Sequence, residues 1–294
     1  MSLRINTNVD AIDVQRNLAM TATAYSASVR KLSSGLRINS AADDAAGLAI
    51  SQKLTADING LSQAQRNAQD GISMIQTGEG ALNETQTILQ RMNQLAVQAS
   101  NGTNNQQNQQ AVAAELKQLG QAINDIGTQT QFNGMTLLNN SNTITLQVGA
   151  HSGETLSVSL ANMTSGSIGS TASVASLSVA IASFYSDVNV SSASYSTASV
   201  AADASALLNS VLQAITDTSN QRAQFGAYQN RLQDTIDNLA VGQENMSASN
   251  SRIRDVDMAA EMVNFTKLGI LSQAGTSILS QANQSSQGVL SLLR

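Results

Sequence analysis

The sequence predicts a mainly α protein: a long antiparallel coiled-coil-like helical bundle with one small β-hairpin, its N- and C-terminal segments paired. Three observations predict it. None of the 294 residues is proline, the residue that most often breaks helix interiors. The apolar fraction is 41%, yet aromatics supply only 3% and there is no Trp, which suits thin helical seams better than a thick globular core. Apolar residues also recur at alternating steps of three and four along five segments, placing one stripe on each helix.

The first segment keeps that step through Leu18, Ala22, Tyr25, Val29, Leu32 and Leu36, and Val14 extends it backward. Ser33, Ser34 and Gly35 interrupt it, after which Asn39, Ser40 and Asp43 offer side chains that cap a helix start. The second segment holds Leu54, Ile58, Leu61, Ala68, Ile72, Ile75, Leu82, Leu89 and Ala96 on one frame. Gln65, Glu79, Gln86 and Asn93 fill its remaining slots and read as polar seam positions that set register at some cost in stability.

Residues 101–110 (NGTNNQQNQQ) read as a polar loop, and Val112, Leu116, Leu119, Ile123 and Ile126 then make a third, shorter helix, which closes a helical hairpin. Beyond it the period falls to two. Ile144, Leu146 and Val148 alternate with polar residues, residues 149–154 (GAHSGE) turn the chain, and Leu156, Val158 and Leu160 alternate again, predicting a β-hairpin.

Residues 161–204 carry thirteen serines. Leu177, Val179 and Ile181 suit a strand there, whereas Val174, Leu177, Ile181, Phe184 and Val188 suit a helix, and the pattern leaves both open. Composition favours a solvated surface linker or small lobe.

The fourth segment is the longest, with Leu208, Val211, Ile215, Phe225, Leu232, Ile236, Leu239, Met246 and Ile253 in frame and Thr218, Arg222, Gln229, Gln243 and Asn250 as polar interruptions. The fifth runs through Leu268, Leu271, Gly275, Ile278, Ala282, Ser285, Val289 and Leu292.

A helix with a single apolar stripe is marginal in water, so each stripe needs a partner. Pairing the first segment with the fifth, and the second and third with the fourth, gives residues 1–42 with 256–294 as a terminal helical pair. Residues 43–160 with 205–255 then form a bundle plus hairpin, and 161–204 a surface element. Leu18, Tyr25, Val29, Leu32, Leu36, Leu268, Leu271, Ile278, Val289 and Leu292 are the expected terminal contacts. Leu54, Ile58, Leu61, Ile72, Ile75, Leu82, Leu232, Ile236 and Leu239 are the expected bundle seam. Leu3, Ile5, Val9, Ile12, Ile270, Leu279 and Leu293 lie off those frames, and apolar helix left uncovered at both ends predicts burial against other copies. Heterologous contacts that do not close into a ring build a helical filament. The termini are expected to order as they assemble.

The formal charge is −5 and the fifteen Lys and Arg are scattered singly, which leaves no nucleic-acid footprint. Without cysteine and with one histidine, His151, neither a thiolate site nor a two-histidine metal site is available within one subunit. Asp43 and Asp44 are neighbours about 100° apart on a helix and suit capping better than acid–base work. No catalytic, metal-binding or cofactor-binding constellation is expected. No run reaches the roughly 20 apolar residues of a membrane span, and residues 1–10 (MSLRINTNVD) lack the n- and h-regions of a signal peptide, so export by another route is expected.

Several motifs also resemble bacterial flagellin, the filament subunit of the flagellum: residues 5–8 (INTN), 32–39 (LSSGLRIN), 43–47 (DDAAG), 67–73 (NAQDGIS), 79–84 (EGALNE), 130–134 (TQFNG), 221–231 (QRAQFGAYQNR), 251–255 (SRIRD), 273–284 (QAGTSILSQANQ) and 289–294 (VLSLLR). The resemblance covers both ends in order. It implies a secreted, extracellular homopolymer used for swimming, with the terminal helices as inner core and the other helices as surrounding tube. It also implies type III export with a chaperone, a filament cap and hook-associated proteins as partners, and a Ser-rich stretch suited to O-glycosylation. Some members are read by a vertebrate innate immune receptor, and the matching positions here are Leu89, Gln90, Arg91, Leu95 and Glu115. The chain departs from the family pattern at residues 284–288 (QSSQG), where a proline is usual, and at 92–95 (MNQL), where a charged pattern is usual. The alternative is a hook–filament junction or helical adhesin that shares the coiled ends without polymerising.

Overall fold

The computed structural model describes residues 8–170, 175–190 and 196–292, with side chains described to residue 284. Leu3, Ile5, Val174 and Leu293 lie outside the described residues, as do the side chains of Ser285, Val289 and Leu292.

Helix α1, Val9–Ser34, begins where Asn8 Oδ1 accepts from Ala11 N at 3.0 Å and ends at Gly35, whose φ of 72° no β-carbon opposes. Asp10 in its first turn and Lys31 in its last complement the helix dipole. Helix α2, Ala45–Ala99, starts behind Asp44, whose Oδ1 accepts from Gly47 N at 2.8 Å. The neighbouring Asp43 has a different task. Its Oδ2 accepts from Ser40 N at 2.9 Å and Asn39 N at 3.1 Å and folds the preceding turn.

Helix α3, Gln106–Gln129, opens on Asn105, whose side chain accepts from Asn108 N at 2.8 Å. The loop expected over 101–110 is therefore shorter. Gln106, Gln107, Gln109 and Gln110 are good helix formers once Asn105 caps the turn, and they enter the helix together with Asn108. Two two-residue strands follow, β1 (Gln131–Phe132) and β2 (Met135–Thr136), joined by Asn133 and Gly134 at φ 49° and 79°. This is the left-handed pair that a tight hairpin turn demands. The expected hairpin is present as β3 (Thr143–Gln147) antiparallel to β4 (Thr155–Ser159), with Ile144 opposite Val158 and Leu146 opposite Leu156.

The described part of the Ser-rich stretch resolves the open choice in favour of helix and is no solvated linker. Helix α4, Leu177–Val188, buries Leu177, Ala180, Ile181, Phe184 and Val188 and leaves Val179 exposed. The serines sit between these rungs, so composition concealed an amphipathic helix. Helix α5, Thr197–Arg254, and helix α6, Met258–Leu292, complete the fold.

The chain forms two compact units, residues 1–59 with 243–294 and residues 60–242. The second is built around Leu82, Leu89, Met92 and Leu95 of α2, Leu116 and Ile123 of α3, Phe184 of α4, and Leu207, Val211, Phe225 and Leu232 of α5, with Leu156 and Val158 of β4 against them. Gly71 and Gly78 admit that packing: a β-carbon on Gly71 would lie 2.4 Å from Leu146 Cδ1, and one on Gly78 would lie 2.9 Å from Phe225 Cε2. One described helix, α5, is long and apolar enough by composition to cross a membrane, at a mean hydropathy of 1.2 over its richest window. Val200, Ala204, Leu207, Val211 and Ala214 of this helix are buried in the core.

In the first unit the two interhelical connections clasp each other. Leu36 and Asp255 form an isolated antiparallel bridge, Arg37 N donates to Arg254 O at 2.6 Å, and Val256 N donates to Gly35 O at 3.1 Å. Asp257 then caps α6, accepting from Ala259 N at 2.9 Å and Ala260 N at 3.1 Å.

Candidate functional site: the terminal helix pair

Helices α1 and α6 pack against each other. Tyr25 stacks on Phe265 with ring centroids 4.8 Å apart and planes 27° from parallel. One heptad along, Leu18 lies close to Gly275, whose missing β-carbon would approach Leu18 Cδ1 to 3.1 Å. Asn8 Nδ2 donates to Ala282 O at 3.1 Å near one end, and Ser28 Oγ donates to Glu261 Oε1 at 2.5 Å near the other.

The expected terminal contacts divide. Leu18, Tyr25, Leu32, Leu36 and Leu268 are half-buried, whereas Val29, Leu271 and Ile278 are exposed. The frame needs correcting by one position on alternate rungs. Helix α1 turns Thr21 and Ser28 inward in place of Ala22 and Val29, and α6 turns Ser272 and Leu279 inward in place of Leu271 and Ile278.

The bundle seam shows the same displacement. Leu61, Ile75, Leu82 and Leu232 are buried and Leu54, Ile58, Ile72, Ile236 and Leu239 are half-buried, while Ala64, Gly71, Gly78, Thr85 and Met92 are the alternate rungs fully inside. Gln65, Glu79, Gln86 and Asn93 are therefore flanking residues. Glu79 Oε2 accepts from Gln229 Nε2 at 2.9 Å, and Gln65 Nε2 donates to Ile236 O at 3.5 Å. The physical reason is close approach. At Ser28, Gly71 and Ser272 the inner rung takes the smaller side chain and the larger apolar Val29, Ile72 and Leu271 move to the flank, whereas Met92 and Leu279 fill the inner rung with bulk of their own.

That displacement leaves a stripe that no described residue covers. On α6 it comprises Met258, Met262, Val263, Ile270, Leu271 and Ile278, with Val263 71% and Ile270 63% exposed. On α1, Val9, Ile12, Met20 and Val29 are exposed as well. Met262, Val263, Thr266, Lys267 and Ile270 line a shallow groove on it. Met258, Met262 and Val263 lie off the heptad frame of the fifth segment, although their own spacing on α6 marks an apolar face.

The five positions matched to immune recognition also divide. Leu89 and Leu95 are core residues, 0% and 2% exposed, so their side chains are not surface contacts. Gln90, Arg91 and Glu115 are exposed, and Arg91 Nη2 pairs with Glu115 Oε1 at 2.7 Å.

A thin seam between two terminal helices, an apolar stripe beside it and a helical body between the ends define a helical structural protein of the self-associating kind. Family models for the bacterial flagellin N-terminal and C-terminal helical regions match residues 5–143 and 208–293. The chain is 46% identical to a flagellin of Halalkalibacterium halodurans over 291 residues, 99% of each chain. It is 44% identical to a flagellin of Bacillus subtilis over 308 residues, 99% of this chain and 100% of that one. The chain belongs to the bacterial flagellin family. In fold it is similar to a putative flagellar hook-associated protein from Vibrio parahaemolyticus, with a TM-score of 0.61 at 16% identity over 72% of this chain and 100% of that one.

Proposed function

We propose that this flagellin polymerises through the uncovered stripes of α1 and α6, each buried by neighbouring copies. The chain is a structural subunit of the bacterial flagellar filament, an extracellular assembly that serves swimming motility. The observation that carries the contact assignment is the exposure of Val263, Ile270 and Ile278 on one described helix, a row that water disfavours and another apolar helix face would cover. In this reading residues 1–42 with 256–294 form the inner core and 43–160 with 205–255 the surrounding tube. The packing of α4 into the body adds part of 161–204 to that tube and supports a thin outer surface.

The same reading keeps an export chaperone, a filament cap and hook-associated proteins as partners, requires no cofactor and assigns no catalysis. Immune recognition, where it occurs, falls on Gln90, Arg91 and Glu115 beside the buried Leu89 and Leu95. Negative-stain microscopy of seeded Ile278→Asp protein tests the contacts. Long tubes are expected from the parent and none from the variant, with equal helix content by circular dichroism in both. Tubes from the variant, or from protein lacking 256–294, would overturn the assignment.

A further inference from the structure

We propose that Met258 and Met262 form a sulfoxidation site that decides whether a free subunit can assemble, an inference that rests on the α6 stripe being an inter-copy contact. Among the nine methionines, Met74, Met92 and Met163 are enclosed in the core, whereas Met20 is 58%, Met135 46% and Met258 and Met262 each 48% exposed; Met258 and Met262 are the two of these that stand together on the α6 stripe. Their spacing of four residues places both thioethers on one side of α6, and Thr266 and Ile270 continue the row. Met262 also lines the shallow groove with Val263 and Ile270.

The chemistry is a two-electron oxygen transfer. A lone pair on Sδ attacks one oxygen of hydrogen peroxide, an S–O bond forms as the O–O bond breaks, and the departing hydroxide takes the proton of the transferred oxygen to leave as water. Sulfur is oxidised to the sulfoxide and peroxide is reduced. The product carries a strong acceptor oxygen in the middle of an apolar row. Packing a second helix against it would strip that oxygen of water: Val263 and Ile270 beside it carry no side-chain donor, Thr266 Oγ1 already donates to Met262 O at 2.8 Å, and Lys267 Nζ would have to leave water to reach it. A subunit inside the filament keeps both sulfurs covered, so the vulnerable species is the free one.

The test oxidises purified subunits with dilute hydrogen peroxide, maps sulfoxide at each methionine by peptide mass spectrometry, and then offers filament seeds. Met258 and Met262 are expected to convert on the order of tenfold faster than Met74 and Met92. Seeded growth should fall in step with their conversion and return after methionine sulfoxide reductase treatment. A Met258→Leu/Met262→Leu variant should grow normally after the same exposure. Undiminished growth from subunits carrying both sulfoxides would overturn the proposal, as would equal loss in the leucine variant, which would move the lesion to Met20 or Met135. Failure of the untreated parent to grow on seeds is a different result, which overturns the stripe assignment and this proposal together.

Discussion

Ser28 Oγ donates to Glu261 Oε1 at 2.5 Å across the α1–α6 seam, and Ser28 is 2% exposed while the stripe beside it is open to water. A polar pair inside the seam costs stability and specifies register, because any slip leaves both groups unpaired. Ser28→Ala should therefore loosen the terminal pair by about 1–3 kcal/mol. The measurement is native-state amide exchange in α1 and α6 of the free subunit. Adding Glu261→Leu should recover much of the loss, since removing both partners is far milder than orphaning one. Unchanged protection in Ser28→Ala would mean the pair does not hold the seam.

Gly78 and Gly80 stand two residues apart in α2 and make opposite predictions. A β-carbon at 78 would press on the ring of the fully buried Phe225, while one at 80 meets nothing within 4 Å. Gly80→Ala should stabilise by about 1 kcal/mol through helix propensity alone. Gly78→Ala gains the same propensity but forces an overpacked core that costs about 1–3 kcal/mol, so its net effect is destabilising. Urea denaturation of the two variants decides it. Equal midpoints would show that the seam yields more readily than its packing implies.

The helices and their pairing were legible in the sequence because period and length carry them, and the seven-residue rungs Leu18, Tyr25 and Leu32, and Leu61, Leu82 and Leu89, lie where the spacing puts them. The alternate rungs were not legible. Hydropathy prefers Val29 to Ser28, Ile72 to Gly71 and Leu271 to Ser272, whereas the helices approach most closely over the small residue. The side the sequence marks as most apolar thus becomes the flank, covered by the β3–β4 hairpin beside Gly71 and bare beside Ser272. Helix α4 was obscured for another reason: its serines dilute every window average, although Phe184 and Val188 mark the buried face. The β1–β2 turn had a signal in Asn133-Gly134 that was read only as part of a family motif.

The Asp43 carboxyl is held below the usual carboxylate range, first by the Ser40 backbone N–H, then by that of Asn39 and by the Ser40 hydroxyl. A lowered folded-state value means that its contribution is present above the ordinary carboxylate value and disappears as pH falls through the lowered one. Asp43→Ala should accordingly be less stable than the parent at neutral pH, and the gap should close in acid. Thermal melts from pH 7 down to about pH 2 test the sign. A gap that widens in acid would show that the turn is held by something other than this carboxylate.

Helix α4 offers the sharpest separation between a solvated lobe and a structural part of the body. Phe184 is fully buried, and Lys117 Nζ of α3 lies 4.4 Å from the ring of the adjacent Tyr185. If α4 were a decoration, emptying the Phe184 site would leave the rest of the second unit unaffected. The side chain instead joins the continuous core that includes Leu116, Leu207 and Val211, so truncation opens a cavity in the main body. Phe184→Ala should cost about 3–5 kcal/mol, seen as a shift of the whole cooperative unfolding transition and not as a small separate phase. Val179→Asp, on the exposed face of the same helix, should stay within about 0.5 kcal/mol of the parent. A Phe184→Ala transition that coincides with the parent's would return the helix to the status of a surface lobe.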